Sequence, residues 1–249
     1  MHIVVLSGAL DFRLKIWSVS DGSNPVTLTG HTSASSRDGT IRLWHCGTGT
    51  TIAILGHYDC AIHKIILTAI PTSLNLDPVE TMDDREVETS DKLILAALAD
   101  GTVRGIHLGT KQEIFKIDAS KDDITAIAYD PVTTNILIGD MSGIVSVFDL
   151  SEMKRRLQWS RSDHAITSLL TKLNENGELV AAIAASDGSI HQTSALGSAL
   201  EGGPLYLQAE YVGNDLEPIR AMKTIPNDRS NAGYERIVCG ARNGMVKVY

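Results

Sequence analysis

The chain has 249 residues, of which 43% are hydrophobic and 5% are aromatic, and its net charge at pH 7 is −8. A negative chain lacks the basic face that nucleic-acid backbones require, which excludes nucleic acid as a main partner but is compatible with a basic protein. Cys46, Cys60 and Cys239 form no CxxC pair, which indicates reduced thiols and predicts a cytoplasmic or nuclear location.

The sequence also argues against a membrane partner. No apolar run approaches the roughly 20 residues that cross a bilayer. The start, Met1 to Leu6, has no basic stretch and too short an apolar run for a signal peptide. We therefore expect neither a signal peptide nor a membrane-spanning segment.

A short motif recurs along the chain. It consists of a polar turn with glycine, followed by a short strand in which apolar and polar residues alternate. Its copies lie at 36–44, 99–106, 140–148, 186–191 and 242–249, with a degenerate first copy at 11–17. With the residue five after each turn glycine as the marker, successive copies lie 27, 62, 42, 45 and 56 residues apart. Two of these spacings lie in or beside the roughly 40–45 residues of a four-stranded WD-type blade. Together with Gly30-His31 and Gly56-His57, the copies resemble WD repeats.

Six blade repeats are predicted in chain order, each with up to four strands called a, b, c and d. The first has strands at 3–8, 14–17 and 26–28, and the second at 40–44 and 51–55. Complete sets follow at 61–69, 92–98, 103–108 and 113–117; at 124–129, 136–138, 144–149 and 157–160; and at 166–172, 179–185, 189–193 and 206–210. The sixth has strands at 219–224, 236–240 and 245–248. We expect an all-β fold, a single WD40-type β-propeller domain over residues 1–249 with about six blade units, three complete and three clipped.

The clipping occurs at both ends and after His31. The first spacing is about 15 residues shorter than a normal period, so strand a and the start of strand b of the second repeat have no room. An incomplete gene model or a splice fragment is the favoured explanation. The alternative is a smaller native propeller, although unpaired edges are an aggregation liability.

Four residues of the second repeat match the structural tetrad of WD blades: His31, Ser36, Asp38 and Trp44. A His, Ser and Asp trio also invites a hydrolase interpretation. However, no G-x-S-x-G elbow lies beside it, and its order follows the repeat. We therefore predict a structural tetrad, no catalytic residue, and a protein that is not an enzyme.

Two further groups of residues could carry chemistry. His57, Cys60 and His63 have metal-ligand spacing, but they lie where the repeat predicts a Gly-His pair and a strand, and no fourth ligand is evident. We therefore predict no metal site and no cofactor. Carboxylates interpreted as turn formers at equivalent positions are Asp38, Asp100, Asp140 and Asp187.

Charge is concentrated in an acidic insertion, residues 75–92, between strands a and b of the third repeat. Its segment 77–91 holds seven acids and one arginine, so it carries most of the negative charge. Such sequence stays solvated, as a passive loop or as an electrostatic docking element. The candidate partner-binding residues are Asp83, Asp84, Glu86 and Glu88. By contrast, Lys154-Arg155-Arg156 is interpreted as a solvated hairpin tip.

Two stretches, 14–31 and 36–52, closely resemble the WD-repeat assembly chaperone of the proteasome regulatory particle, the proteasomal ATPase-associated factor family. Their distinctive motifs are K-I-W-S-V-x-D-G-S-N-P and W-x-C-G-T-G. Beyond Gly56 the resemblance is mainly one of repeat architecture. It implies a non-enzymatic chaperone that binds the C-terminal domain of a proteasomal ATPase subunit during assembly of the base. It also implies a family chain that is longer at its N-terminus and carries the segment missing after His31. The alternative is a generic WD-repeat scaffold or a substrate receptor of a ubiquitin ligase.

Overall fold

The structure is a computed structural model that describes residues 4–8, 14–18, 26–28, 38–45, 47–74, 76, 89–173, 178–211, 217–225 and 236–249. Within these ranges the chain is all-β apart from a 3₁₀ turn at Thr72–Leu74 and a five-residue helix, α1 (Leu196–Leu200). In this part of the chain neither helix has the length and apolar character to cross a membrane. The chain divides into an N-terminal body, residues 1–118, and a C-terminal body, residues 119–249.

The described strands of the N-terminal body form three antiparallel sheets. The first contains β1 (Val4–Gly8), β2 (Leu14–Ser18) and β3 (Val26–Leu28), and the second contains β4 (Thr40–His45) and β5 (Thr50–His57). The third contains β6 (Ile62–Ala69), β7 (Lys92–Leu98), β8 (Thr102–His107) and β9 (Gln112–Asp118). Strands pair in chain order in all three.

The C-terminal body has the same construction. One four-stranded sheet contains β10 (Ile124–Asp130), β11 (Asn135–Asp140), β12 (Ile144–Asp149) and β13 (Lys154–Ser160). The next contains β14 (Ile166–Leu173), β15 (Leu179–Ala185), β16 (Ile190–Thr193) and β17 (Leu207–Tyr211), with α1 between its last two strands. The last sheet contains β18 (Ile219–Ile225), β19 (Arg236–Ala241) and β20 (Val246–Val248).

The strands predicted from the sequence are observed, and their ends differ from the predicted ones by no more than three residues. The repeats predicted to be complete are four-stranded, and each of these sheets is the antiparallel meander that builds propeller blades. The architecture is therefore consistent with a β-propeller. One local prediction is wrong: Lys154-Arg155-Arg156 is not a hairpin tip but the start of β13. An outer strand tolerates three charges in a row there because all three side chains are exposed.

Each core lies between the facing surfaces of neighbouring sheets within a body. In the N-terminal body, Ile41 and Leu55 of the two-stranded sheet pack against Ile94, Ala96 and Leu98. In the C-terminal body two clusters have the same origin and join β10–β13 to β14–β17 and β14–β17 to β18–β20. Strands β7, β11 and β15 are almost wholly buried, as expected for strands covered on both faces.

A β-bulge recurs between strands c and d. In four sheets the outer strand carries one extra residue opposite the position four residues beyond the turn glycine. The extra residues are Ile52, Ile114, Arg156 and Gln208. A second bulge recurs at the start of strand a, at His63, Thr125, Thr167 and Arg220. Bulges increase local twist and disfavour edge-to-edge pairing, so the repeat specifies them together with its strands.

Candidate functional site

Polar side chains form hydrogen-bonded groups at one edge of the described four-stranded sheets, which we call the turn edge. There the turn between strands b and c lies beside the loop that precedes strand a. The same backbone hydrogen bond joins turn and loop in four sheets. Its donors and acceptors are Ala99 N–H to Ala61 O at 2.9 Å, Met141 to Asp123 at 3.0 Å, Ser186 to Ala165 at 2.8 Å, and Arg242 to Pro218 at 2.9 Å. The turn edge is therefore a repeated structural feature.

A glycine with positive φ shapes each of the five b–c turns that the structure describes, and its lack of a side chain serves packing as well as conformation. At Gly143 φ is +79°, and an added Cβ would lie 2.2 Å from the carbonyl oxygen of Ser162 in the neighbouring loop. At Gly39 an added Cβ would lie 1.8 Å from the carbonyl oxygen of Tyr58. The turn and the loop that leaves the same sheet therefore approach as closely as backbones allow.

In three turns a carboxylate caps the backbone. Asp38, Asp100 and Asp187 each accept hydrogen bonds from the backbone N–H and the side-chain hydroxyl of the residue two positions later. At Asp100 the two distances are 3.0 Å to the Thr102 N–H and 2.6 Å to its hydroxyl. These aspartates are turn formers, in line with their interpretation from the sequence.

Asp140 does not occupy the equivalent position, so that prediction is wrong. Its carboxylate lies three residues before the turn glycine rather than one, and Ser142 stands at the position of Asp100 and Asp187. Asp140 ends β11 and is buried. Proximity to a glycine in the sequence was the only signal, and it did not separate a turn residue from the last strand residue.

The displaced carboxylate nevertheless caps its turn from inside the sheet. Its Oδ1 accepts the N–H groups of Ser142 at 3.0 Å and Ile144 at 2.9 Å, and its Oδ2 accepts the Ser120 hydroxyl at 2.6 Å. The Ser142 hydroxyl donates to Asp122 in the same loop. Two side-chain bonds thus join turn and loop in this sheet.

The N-terminal body has a compact network at the turn edge of β6–β9. Arg104 on β8 donates from Nη1 to Glu113 Oε1 at 2.9 Å and from Nε to the Thr102 hydroxyl at 3.1 Å, and its Nη2 lies 3.6 Å from Asp100. The Tyr58 hydroxyl donates to Glu113 Oε2 at 3.0 Å, and the guanidinium lies 5.3 Å from the centre of the Tyr58 ring. The network therefore joins a turn, an inner strand, an outer strand and a loop.

The electrostatics of this network favour binding over proton transfer. Burial, the hydrogen bond to Glu113 and the charge of Glu113 raise the pKa of Tyr58 well above its usual value. Tyr58 therefore remains a neutral donor, and Arg104 remains a cation held by carboxylates. Within this network the groups present offer paired charges and an aromatic face, which is the chemistry of a recognition surface.

The corresponding positions of β14–β17 carry different charges. Arg161 donates to Glu210 at 2.9 Å across loop and outer strand, and His164 Nε2 lies 3.9 Å from Asp187. His191 lies three residues after its turn glycine, as Arg104 does in β8. It is buried, and its Nδ1 has no hydrogen-bond partner among the described residues. Burial and the nearby Arg161 lower the pKa of His191 to about 4. The sequence reasoning missed both networks, because their members lie up to 55 residues apart.

The structure describes the predicted tetrad in part. Asp38 caps its turn and Trp44 lies on β4, whereas His31 and Ser36 lie outside the described residues. The tetrad therefore stays a prediction. The four candidate partner-binding residues, Asp83, Asp84, Glu86 and Glu88, also lie outside the described residues, as does most of the acidic insertion.

The three residues with metal-ligand spacing lie at the end of β5, in the loop that follows it and near the start of β6. His57 and His63 are exposed, and Cys60 is half-buried with a pKa that burial raises. Over the ranges that the structure describes, no three His, Cys, Asp or Glu side chains are arranged to hold a metal ion. His63 is the bulge residue near the start of β6.

The chain is similar in sequence to a curated yeast protein. No family model matches the chain. The 26S proteasome regulatory subunit RPN14 of Saccharomyces cerevisiae is 30% identical over 168 residues, which are 59% of this chain and 40% of the yeast protein. The chain therefore spans well under two thirds of the length of this relative.

Among solved structures, the crystal structure of the computationally designed Ika8 protein is similar with a TM-score of 0.66. The similarity covers 99% of this chain and 67% of that chain at 21% identity, so it concerns the fold alone. The recurring turn motif, the four-stranded meanders and the yeast relative agree. Together they support a WD-repeat protein.

Proposed function

We propose that this chain is a non-enzymatic WD-repeat chaperone that binds a proteasomal ATPase subunit during assembly of the regulatory particle base. The observation that carries the proposal is the 30% identity to a yeast proteasome regulatory subunit. The turn edges support it, because their described groups are paired charges and capped turns suited to protein recognition.

The proposed partner surface is the C-terminal domain of the ATPase subunit, with net positive charge. The chain carries −8, most of it in the acidic insertion, so long-range attraction would steer a basic domain towards it. In this proposal residues 1–249 act as one propeller domain of six blade repeats in the cytoplasm or nucleus.

A binding experiment with purified components tests the proposal. The full chain is immobilised, and the C-terminal domain of each proteasomal ATPase subunit is applied separately at physiological ionic strength. We expect one or two of the domains to be retained, with a dissociation constant in the micromolar range or tighter. Retention of none, or equal retention of all the domains and of a basic control protein, would contradict the proposal.

A variant at the turn edge makes the experiment specific to the folded surface. Arg104→Glu and Glu113→Arg each place like charges together, whereas the double exchange restores an opposite pair. If the turn edge of β6–β9 contributes to binding, each single variant weakens retention of the ATPase domain. The double exchange keeps the pair but swaps its two charges, so it changes which charges of the partner are preferred there. Glu201→Gln, an exposed change in the connection between β16 and β17 and away from the turn edges, is the matched control.

A further inference from the structure

Strand β6 exposes a row of apolar side chains. Its alternating residues Ile65, Leu67 and Ala69 are exposed, Ile65 to 43% and Leu67 to 58%. The register pairs Ile65 with Ala96 and Leu67 with Ile94, and both partners belong to the core shared with β4–β5. Residues that pair across two strands lie on the same face of a sheet, so this row faces β4–β5. All of these strands belong to the N-terminal body.

The equivalent positions of the C-terminal body are covered. Counted from the bulge at the start of each first strand, Leu169 of β14 and Met222 of β18 correspond to Ile65. Their exposed fractions are only 5% and 4%. Leu169 packs against residues of β10–β13, and Met222 packs against residues of β14–β17. The exposure of Ile65 is therefore set by what faces it and not by its place in the repeat.

The strands that cover these positions are the first two strands of the preceding sheet. Strands β10 and β11 lie against β14, and β14 and β15 lie against β18. Among the described residues, the sheet before β6 consists of β4 and β5 alone, which correspond to the third and fourth strands of a complete sheet. Residues 29–39, between β3 and β4, are too few for two strands as long as β10 and β11, which span 124–140 with their turn.

The C-terminal body also shows which side chains fit such a position. In the core between β10–β13 and β14, the first strand contributes Ala126 and Ala128, and the second strand contributes Leu137. Small side chains on the first strand leave room for Leu169, and the larger side chain on the second strand fills the space beside it. Strand β6 carries side chains of similar size, so the same pattern fits it.

A second copy of the chain is poorly suited to supply these two strands. Every described strand already pairs within a sheet of its own chain. A copy could donate a first and second strand only by opening one of its sheets, and it would then expose the core of that sheet. A hairpin that another protein presents has no such cost.

We propose that the exposed row of β6 is a docking surface for a β-hairpin of another protein, with small apolar residues alternating on its first strand and Leu, Ile or Val on its second. The hairpin extends the β4–β5 sheet on the side of β4 and covers Ile65, Leu67 and Ala69. The partner thereby completes the second repeat as a strand donor. Recognition here is apolar, unlike the electrostatic attraction proposed for the ATPase domain.

The probe is a fluorescent, backbone-cyclised peptide with the sequence of residues 124–140, the hairpin that covers β14. Cyclisation is needed because an isolated hairpin is marginally stable in water. The matched peptide carries Ala126→Asp, Ala128→Asp and Leu137→Asp, which place charges on the face that would meet β6. Fluorescence anisotropy against the full chain measures binding of each peptide.

We expect the first peptide to bind with a dissociation constant of about 10 μM or tighter, and the Asp peptide at least about tenfold more weakly. In the chain, Ile65→Asp/Leu67→Asp should weaken binding of the first peptide by about tenfold or more. Because both side chains are exposed, this variant should keep the unfolding midpoint of the parent chain in urea. Val132→Asp/Met141→Asp, which changes two exposed turn residues, should leave binding unchanged.

Four outcomes would overturn the proposal. The first two are equal binding of both peptides and binding of neither. The third is equal binding of the first peptide to the parent chain and to Ile65→Asp/Leu67→Asp. The fourth is a dimer in sedimentation experiments that Ile65→Asp/Leu67→Asp dissociates, because a second copy would then cover the row. None of these measurements uses an ATPase domain, so the result is independent of the function proposed above.

Discussion

The Ser120 hydroxyl donates a 2.6 Å hydrogen bond to Asp140, a buried carboxylate at the end of β11. The other carboxylate oxygen accepts two backbone N–H groups of the following turn. One side chain thus holds the loop before β10 against the turn after β11. In the neighbouring repeats the turn carboxylate lies two positions closer to the turn glycine and is partly exposed, as at Asp187. Turn and loop are therefore held together by different side-chain contacts in different repeats.

Replacing Asp140 with alanine should lower the free energy of unfolding by about 2–3 kcal/mol. The change leaves two backbone N–H groups and the Ser120 hydroxyl without their acceptor in a buried place. Urea denaturation followed by circular dichroism measures the effect. Asp163→Ala, an exposed loop carboxylate, should change stability by less than about 0.5 kcal/mol. Equal effects of the two variants would contradict a structural role for Asp140.

Two turn glycines separate the cost of backbone conformation from the cost of packing. Gly143 and Gly244 both have positive φ, at +79° and +85°. In Gly244→Ala the new Cβ meets nothing within 4 Å, so only the strain of about 1–2 kcal/mol applies. In Gly143→Ala it meets the Ser162 carbonyl as well, so the loss of stability should be larger by at least about 1 kcal/mol. Similar unfolding midpoints for the two variants would show that the Ser162 loop moves freely.

Tyr58 and Glu113 should be energetically coupled. Their hydrogen bond of 3.0 Å links a loop to an outer strand, and it involves an ionised acceptor. A double-mutant cycle with Tyr58→Phe and Glu113→Gln should give a coupling energy of about 0.5–1 kcal/mol in thermal or urea unfolding. The same cycle with Asp91→Asn, whose carboxylate pairs with Lys92, should give none. A coupling below experimental error in the first cycle would mean that the contact adds nothing to stability.

His191 should make stability depend on acidity. Its folded pKa is about 4, below the 6.5 of an ordinary histidine, because burial and Arg161 disfavour the charged ring. The unfolded chain therefore binds more protons between these values, so the histidine's contribution is full above pH 6.5 and is lost as pH falls towards 4. The loss amounts to about 3 kcal/mol over this window.

Urea unfolding at several pH values checks this expectation. His191→Gln should flatten the slope of stability against pH between 4 and 6.5, whereas His57→Gln, an exposed histidine, should retain it. Glu210 and Asp187 raise the pKa of His191, so Glu210→Gln should steepen the loss. An unchanged slope in His191→Gln would assign the acid sensitivity to other groups.

The acidic insertion should act on the rate of association with the ATPase domain. Electrostatic steering changes mainly the association rate and is screened over about 8 Å at physiological salt. Neutralising Asp83, Asp84, Glu86 and Glu88 to Ser or Gln should slow association several-fold at low salt and matter little at high salt. Stopped-flow kinetics at two ionic strengths measures this.

A matched variant makes that measurement specific. It neutralises three exposed acids that lie away from the turn edges: Glu152, Glu178 and Glu201. Association as fast as that of the parent chain after neutralising the insertion would identify the insertion as passive. The docking surface would then lie at the turn edges.

The sequence was sufficient for the strands because alternation and turn glycines are local signals. Leu179–Ala185 and Ile144–Asp149 were predicted to the residue, and most other ends to within two. Helix α1 was missed because Leu196–Leu200 is only five residues long and has no side-chain cap. Such a helix depends on burying Leu196 and Ala199 rather than on its own propensity.

The polar networks could not be predicted in the same way. Arg104 and Glu113 are nine residues apart, but Tyr58 joins them from the preceding repeat. Nothing in the local pattern marks Tyr58, because the residue at the corresponding loop position before β14 is Ser162. For Asp140 the local pattern was misleading. It suggested a position in the b–c turn, whereas Asp140 pairs with Ile124 at the end of β11.

The recurring bulge has a consequence for how these repeats could diversify. Because the extra outer-strand residue lies at one fixed distance from the turn glycine, outer strands of different sheets share a common phase. A chimaera that grafts Lys154–Ser160 in place of Gln112–Asp118 would keep every inward side chain facing inward. Outer strands are in this sense interchangeable. Recombination within the gene could exchange them, and with them the surface charge, while the inward-facing positions stay inward-facing.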